Sequence, residues 1–233
     1  MNETRILLKL SGEALAGDKK TGFDEATVLD VARQVKMALS AGKQIAIVIG
    51  GGIFWRGRTS EHMDRVKADQ IGILATVMNC VYVAEMFRTQ GIPTMVMTPF
   101  SCGNITRLFH KDEAISALQN GSVVFFAGGT GHPYFSTDMA TVLMAIEIEA
   151  DIIYAGKAID GVYDSDPNVN PDAKKYDVMD MQDIVDQKLG VIDLTAAILA
   201  VEQHMSMKLF GLQGENSISN AMTGAFTGTL IRA

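Results

Sequence analysis

The chain has 233 residues, 48% of them apolar and 20% charged, enough to bury a sizeable core in one large α/β domain or two small ones. Its 20 Lys and Arg stand against 27 Asp and Glu, and the net charge of −7 argues against nucleic acid or an anionic membrane as the main partner, though not against a small anionic substrate. Two cysteines, Cys80 and Cys102, make no disulfide framework, and neither a signal core nor an apolar stretch of membrane-spanning length stands out, so reduced thiols in a cytoplasmic protein are expected.

The first predicted element is a strand over residues 6–10 that carries Lys9 near its end. Asp24 then caps a helix with Val28, Val31, Ala32, Val35 and Leu39 on one face, and Gly42 lies just past its end. A second strand, 45–49, runs into Gly50, Gly51 and Gly52. Residues 69–88 read as a helix apolar on nearly every side, which places it in the core and part of it against another subunit. Strands follow at 94–97 and 123–127, then a helix from Asp138 to Glu149 and a strand at 152–155. Residues 157–181 are polar, contain Pro167 and Pro171, and read as one long loop. Strands at 208–212 and 229–231 complete the chain. Most of these strands are unbroken apolar runs, the mark of strands covered on both faces. The predicted architecture is therefore an α/β three-layer αβα sandwich around a mainly parallel central sheet.

Ligands of parallel α/β sheets bind at the carboxyl ends of the strands. Three such ends here are rich in glycine and small polar residues. The first holds Lys9, Leu10, Ser11 and Gly12, where an ammonium can sit over a phosphate. The second is the glycine triplet, followed by Ile53, Phe54, Trp55 and Arg56; bare backbone N–H groups can approach phosphate oxygens and Arg56 can grip one bidentately. The third runs from Gly128 through Thr130, Gly131, His132, Pro133, Tyr134, Phe135, Ser136 and Thr137 to Asp138, which is either a helix cap, a catalytic carboxylate, or both. Trp55 reads equally as packing or as a platform for a base. Gly12 and Gly17 have P-loop spacing, but Asp18 and Lys19 follow where Lys and Ser or Thr are required. Gly50 and Gly52 lack the third glycine of the dinucleotide fingerprint.

Together these three segments resemble the amino acid kinase superfamily and, within it, the bacterial UMP kinases. The likeness runs in order through Asp69 to Asn79, Ile146 to Asp151, Asp160 to Pro167, Asp193 to Ala196 and Gly228 to Ile231. It implies a single domain over 1–233, with an acceptor part over roughly 1–150 and an ATP part over roughly 151–233. It also implies transfer of the γ-phosphate of ATP, with Mg²⁺, to UMP, in a homo-oligomer, usually a hexamer, activated by GTP and inhibited by UTP. Carried over residue by residue, Lys9, Arg56 and Asp138 are catalytic. Lys9, Leu10, Ser11, Gly12, Gly52, Arg56, Lys157, Tyr163 and Asp166 serve ATP, with Tyr163 covering adenine. Gly51, Asp69, Thr130, Gly131, His132, Pro133, Tyr134, Phe135, Ser136 and Thr137 serve UMP. No residue is assigned as a direct metal ligand; Mg²⁺ comes with the ATP phosphates. The chain departs from the family where His132 and Ile53 stand for a common Asn and where Lys157 falls in its segment. Two other readings remain open: a family member with a small carboxylate or carbamate acceptor, and a non-catalytic nucleotide-binding protein on the same fold.

Overall fold

A computed structural model describes residues 3–17, 19, 21–55, 62–224 and 226–233. Its frame is a nine-stranded sheet. In chain order the strands are β1 (Arg5–Leu10), β2 (Gln44–Ile49), β3 (Thr94–Thr98), β4 (Arg107–Leu108), β5 (Val123–Phe126), β6 (Ile152–Lys157), β9 (Val178–Asp180), β10 (Met207–Gly211) and β11 (Thr229–Arg232). A separate hairpin is formed by β7 (Val162–Tyr163) and β8 (Lys175–Tyr176). Across the sheet the order is β4-β3-β5-β2-β1-β6-β10-β11-β9. Within it only the β10–β11 pairing is antiparallel, so the mainly parallel expectation holds.

Strand alternation sorts the two faces. Ile6, Leu8 and Leu10 of β1 and Ile45, Ile47 and Ile49 of β2 join one core with α1 (Glu25–Ser40), α2 (Arg65–Thr89) and α7 (Ser217–Thr223). Leu7, Ala46 and Val48 join the other, beneath α3 (Lys111–Gln119), α4 (Thr137–Glu147), α5 (Met181–Gln187) and α6 (Leu194–Glu202). These are the three predicted layers.

The α1 signals work as written: Asp24 Oδ2 accepts the Thr27 N–H at 2.9 Å, and Gly42 takes a φ of 83° just beyond the helix. Helix α2 buries Val77, Val83 and Phe87 against the sheet but leaves Ile71, Leu74 and Met78 exposed. It also corrects one expectation. Among the described residues it is the single helix long and apolar enough, by length and composition, to cross a membrane, with a mean hydropathy of 1.4. Packing against β2, β3 and β5 makes it a helix of the sandwich. Residues 157–181 are also more than a loop: they hold the β7–β8 hairpin and β9, elements of two or three residues and too short to show a period.

Candidate active site

Lys9 shares the face of Leu7, one pleat further toward the carboxyl end of β1, where the first turn of α4 lies. Its side chain is 11% exposed, and Nζ donates to Asp138 Oδ1 at 2.7 Å. Asp138 is not the cap of α4. Ser136 is: its Oγ accepts the N–H groups of Asp138 and Met139 at 3.1 and 3.3 Å. The carboxylate of Asp138 is thereby left for Lys9, and its Oδ2 accepts the backbone N–H of Asp193 at 3.4 Å. Burial acts to raise the Asp138 pKa, but the charges of Lys9 and Lys157 and the Lys9 hydrogen bond outweigh it and hold the group below the usual carboxylate range.

The pair opens on a cavity of about 580 Å³. Gly51 and Gly52 form one wall; a Cβ on Gly51 would lie 2.9 Å from the Gly72 carbonyl oxygen, so the turn passes α2 too closely for a side chain. Asp69 lines it too, its Oδ2 accepting both Arg65 Nε and the Tyr134 N–H at 2.8 Å, and among the described residues no donor to Oδ1 is found. Tyr134 holds a φ of 70°, with the Arg65 guanidinium 5.4 Å from its ring centre. Trp55 lines the cavity and also satisfies its N–H on the Ala68 carbonyl at 2.8 Å, so packing and lining are combined in one ring. Thr130, Phe135, Ser136 and Thr137 line the same space. Gly131, His132 and Pro133 do not: the site Gly131 would give a Cβ faces Pro99, and His132 is exposed. Arg56, singled out from the sequence, lies outside the described residues.

A second cavity, about 630 Å³, opens along β6 and β7 and is lined by Lys157, Tyr163, Asp166 and the turn at Leu189, Gly190 and Val191. The Tyr163 hydroxyl donates to Asp160 Oδ1 at 2.6 Å, and Asp166 accepts the Asn168 N–H at 2.9 Å, so both are fixed by their own loop. Lys157 lines both cavities. Its Nζ donates to the Val191 carbonyl at 2.9 Å; burial and the nearby Lys9 lower its pKa, and Asp138 and Asp193 offset part of that. Ser11 and Gly12 sit at the sheet end beside the glycine turn. Ser11 Oγ accepts the Ala14 N–H, and the Leu10 side chain is in the core, so only backbone of Leu10 can face a ligand.

Sequence reasoning did not single out Arg65, Gly72, Thr76 or Asp193 for the first cavity. Arg65 and Asp69 have the i,i+4 spacing of a helical ion pair, a signal that was there to read. Thr76 left none: its hydroxyl accepts the Gly128 N–H at 2.8 Å from 52 residues away. Burial pushes the Cys80 thiol up to about 12, while Cys102 is half-buried. Among the described residues no group of three His, Cys, Asp or Glu is placed to hold a metal ion.

Residues 4–210 match the profile of the amino acid kinase family. The chain is 42% identical to the uridylate kinase of Pediococcus pentosaceus over 231 residues, 98% of this chain and 96% of that one. It is 44% identical to the uridylate kinase of Limosilactobacillus reuteri over 230 residues, 97% and 96% of the two chains. The crystal structure of UMP kinase from Bacillus anthracis superposes with a TM-score of 0.95 at 33% identity, covering 100% of this chain and 97% of that one.

Proposed function

The chain belongs to the amino acid kinase family, and on that premise we propose that it is a UMP kinase, transferring the γ-phosphate of ATP to UMP to give UDP and ADP. The observation that carries this reading is the Lys9–Asp138 pair at the first cavity, with Lys157 shared between that cavity and the second. UMP occupies the first cavity, with Asp69 Oδ1 accepting from its ribose, and ATP the second. Lining residues up to Asp138 dominate the first cavity and residues after 156 make the second, in support of the division near residue 150 within one domain.

The acceptor is a phosphate already ionised near neutral pH, so no strong general base is required. The work is positioning and neutralisation of charge. Lys9 and Lys157 face the oxygens of the transferring group, with Arg56 a third cation by resemblance. Asp138 aims Lys9 by accepting from its Nζ at 2.7 Å. The N–H groups of the glycine turn supply fixed donors that need no reorganisation. The donor set suits Mg²⁺ brought by ATP: Lys9 occupies Asp138 Oδ1, and Oδ2, which also accepts the Asp193 N–H, has a further lone pair that would accept from a water of such an ion. Mg²⁺ would supply further neutralisation of the polyphosphate.

The exposed Ile71, Leu74 and Met78 on α2 support a homo-oligomer, and family membership supports a hexamer activated by GTP and inhibited by UTP, working in the cytoplasm where ATP and UMP are held. The test is ADP release with Mg²⁺-ATP against UMP, dUMP, CMP, aspartate, glutamate and carbamate. UDP formation with UMP foremost is expected. No turnover with any nucleoside monophosphate would overturn the assignment and favour a binding protein.

A further inference from the structure

Asn79 lies in the middle of α2 and is completely buried, yet it uses only half of its amide. Nδ2 donates to the Gly50 carbonyl oxygen at 2.8 Å, while Oδ1 has no partner among the described residues. The orientation is fixed by chemistry, since a carbonyl oxygen can face only the NH₂ end of the amide. A buried acceptor without a donor is destabilising; a leucine of similar size would avoid that cost while leaving the Gly50 carbonyl without its donor, so the two effects roughly offset. Stability alone therefore gives no reason for an asparagine here.

The position gives one. Gly50 is the point where the turns ending β1 and β2 touch. Its N–H donates to the Leu10 carbonyl at 3.1 Å, and its carbonyl oxygen lies 2.5 Å from where a Cβ on Gly12 would be. Asn79 Nδ2 is 3.4 Å from that same Cβ position. The amide thus rests on both turns at once. Because a trans peptide sets C=O and the next N–H antiparallel, holding the Gly50 carbonyl against Asn79 turns the Gly51 N–H to the opposite side. That N–H has no acceptor among the described residues, and Gly51 lines the transfer cavity.

The geometry points to Asn79 as a positioning residue for phosphoryl transfer, locking the Gly50–Gly51 peptide so that the Gly51 N–H is presented to the phosphoryl oxygens and the two phosphate-facing turns keep a fixed spacing. This rests on the UMP kinase reading. A donor lost or misplaced by about 1 Å costs on the order of 10- to 100-fold in rate.

The experiment is steady-state kinetics of Asn79→Leu beside the wild type, with thermal unfolding of both. The expected result is a kcat lower by about 10- to 100-fold, KM for UMP and ATP within about threefold, and a melting midpoint close to that of the wild type, the lost bond to Gly50 and the removed unpaired oxygen offsetting each other. Asn79→Ala serves the same test should the leucine variant not fold, with turnover normalised to the folded fraction. A kcat within about threefold of wild type, or a loss that merely follows the folded fraction, overturns the proposal. A wild type that makes no UDP would instead sink the functional reading, so the two failures are told apart by the control.

Discussion

Replacing Lys9 by methionine keeps the length of the side chain and removes its charge. Two quantities should then move separately. At 2.7 Å the Lys9–Asp138 attraction is about 6 kcal/mol at an effective dielectric near 20, before the desolvation of two groups that are 11% and 19% exposed. Stripping one partner from such a pair leaves roughly 3 kcal/mol of destabilisation, moderated here by Lys157. The native Asp138 pKa is depressed, so its contribution is fully present above the unfolded carboxylate value and is lost as pH falls through the folded one. Without Lys9 the opposing effect of burial gains, the folded pKa rises, and acid unfolding moves to higher pH. Turnover should fall by about 100- to 1000-fold, roughly 3–4 kcal/mol, because the ammonium is placed where charge accumulates in transfer. The double variant Lys9→Met/Asp138→Asn should regain most of the stability and none of the rate. Coupled detection of ADP at saturating UMP and denaturant titrations give both numbers. A kcat within a fewfold of wild type would refute the catalytic role, and recovery of turnover in the double variant would refute the claim that Asp138 serves through Lys9.

Gly12→Ala would put a methyl 2.5 Å from the Gly50 carbonyl oxygen, a backbone atom that cannot swing aside; a loss of about 1–3 kcal/mol in denaturant titration, with a fall in kcat, is expected, and an unaffected enzyme would mean the two turns are not in contact. Glu3 is held below the ordinary carboxylate range: burial opposes this, but hydrogen bonds from Lys208 and Tyr154 and the charges of Lys208 and Lys43 prevail. Its stabilisation is therefore fully present above the unfolded carboxylate value and lost as pH falls through the folded one, and Glu3→Gln should flatten the acid limb of a stability–pH curve; an unchanged limb counts against the cluster. Leu74→Glu with Met78→Glu places charges on the open apolar face of α2, and sedimentation should show a smaller species, whereas an unchanged assembly would locate the interface elsewhere.

The frame was readable because strands covered on both faces leave unbroken apolar runs: residues 6–10 and 45–49 could hardly be anything else, and each lies inside its observed strand. The same rule fails at β4, β7, β8 and β9, two- or three-residue strands whose existence depends on neighbours already in place. At the site, residue type identified Lys9, the glycine turn and Asp138, but not how they divide the labour. Ser136 and Asp138 are equally good caps by composition, and nothing local chooses between them. The choice is made by Lys9, 129 residues away, whose ammonium meets Asp138 Oδ1 and leaves the cap to Ser136. Asn79 is the same case carried further. In sequence it is one polar residue on an apolar helix. Only the approach of Gly50 to Gly12, set by the pairing of β1 with β2, gives its amide something to hold. Sequence periodicity reports which face of an element is buried; the assignment of roles within the site depends on contacts between segments far apart in the chain, and those exist only after the layers have closed.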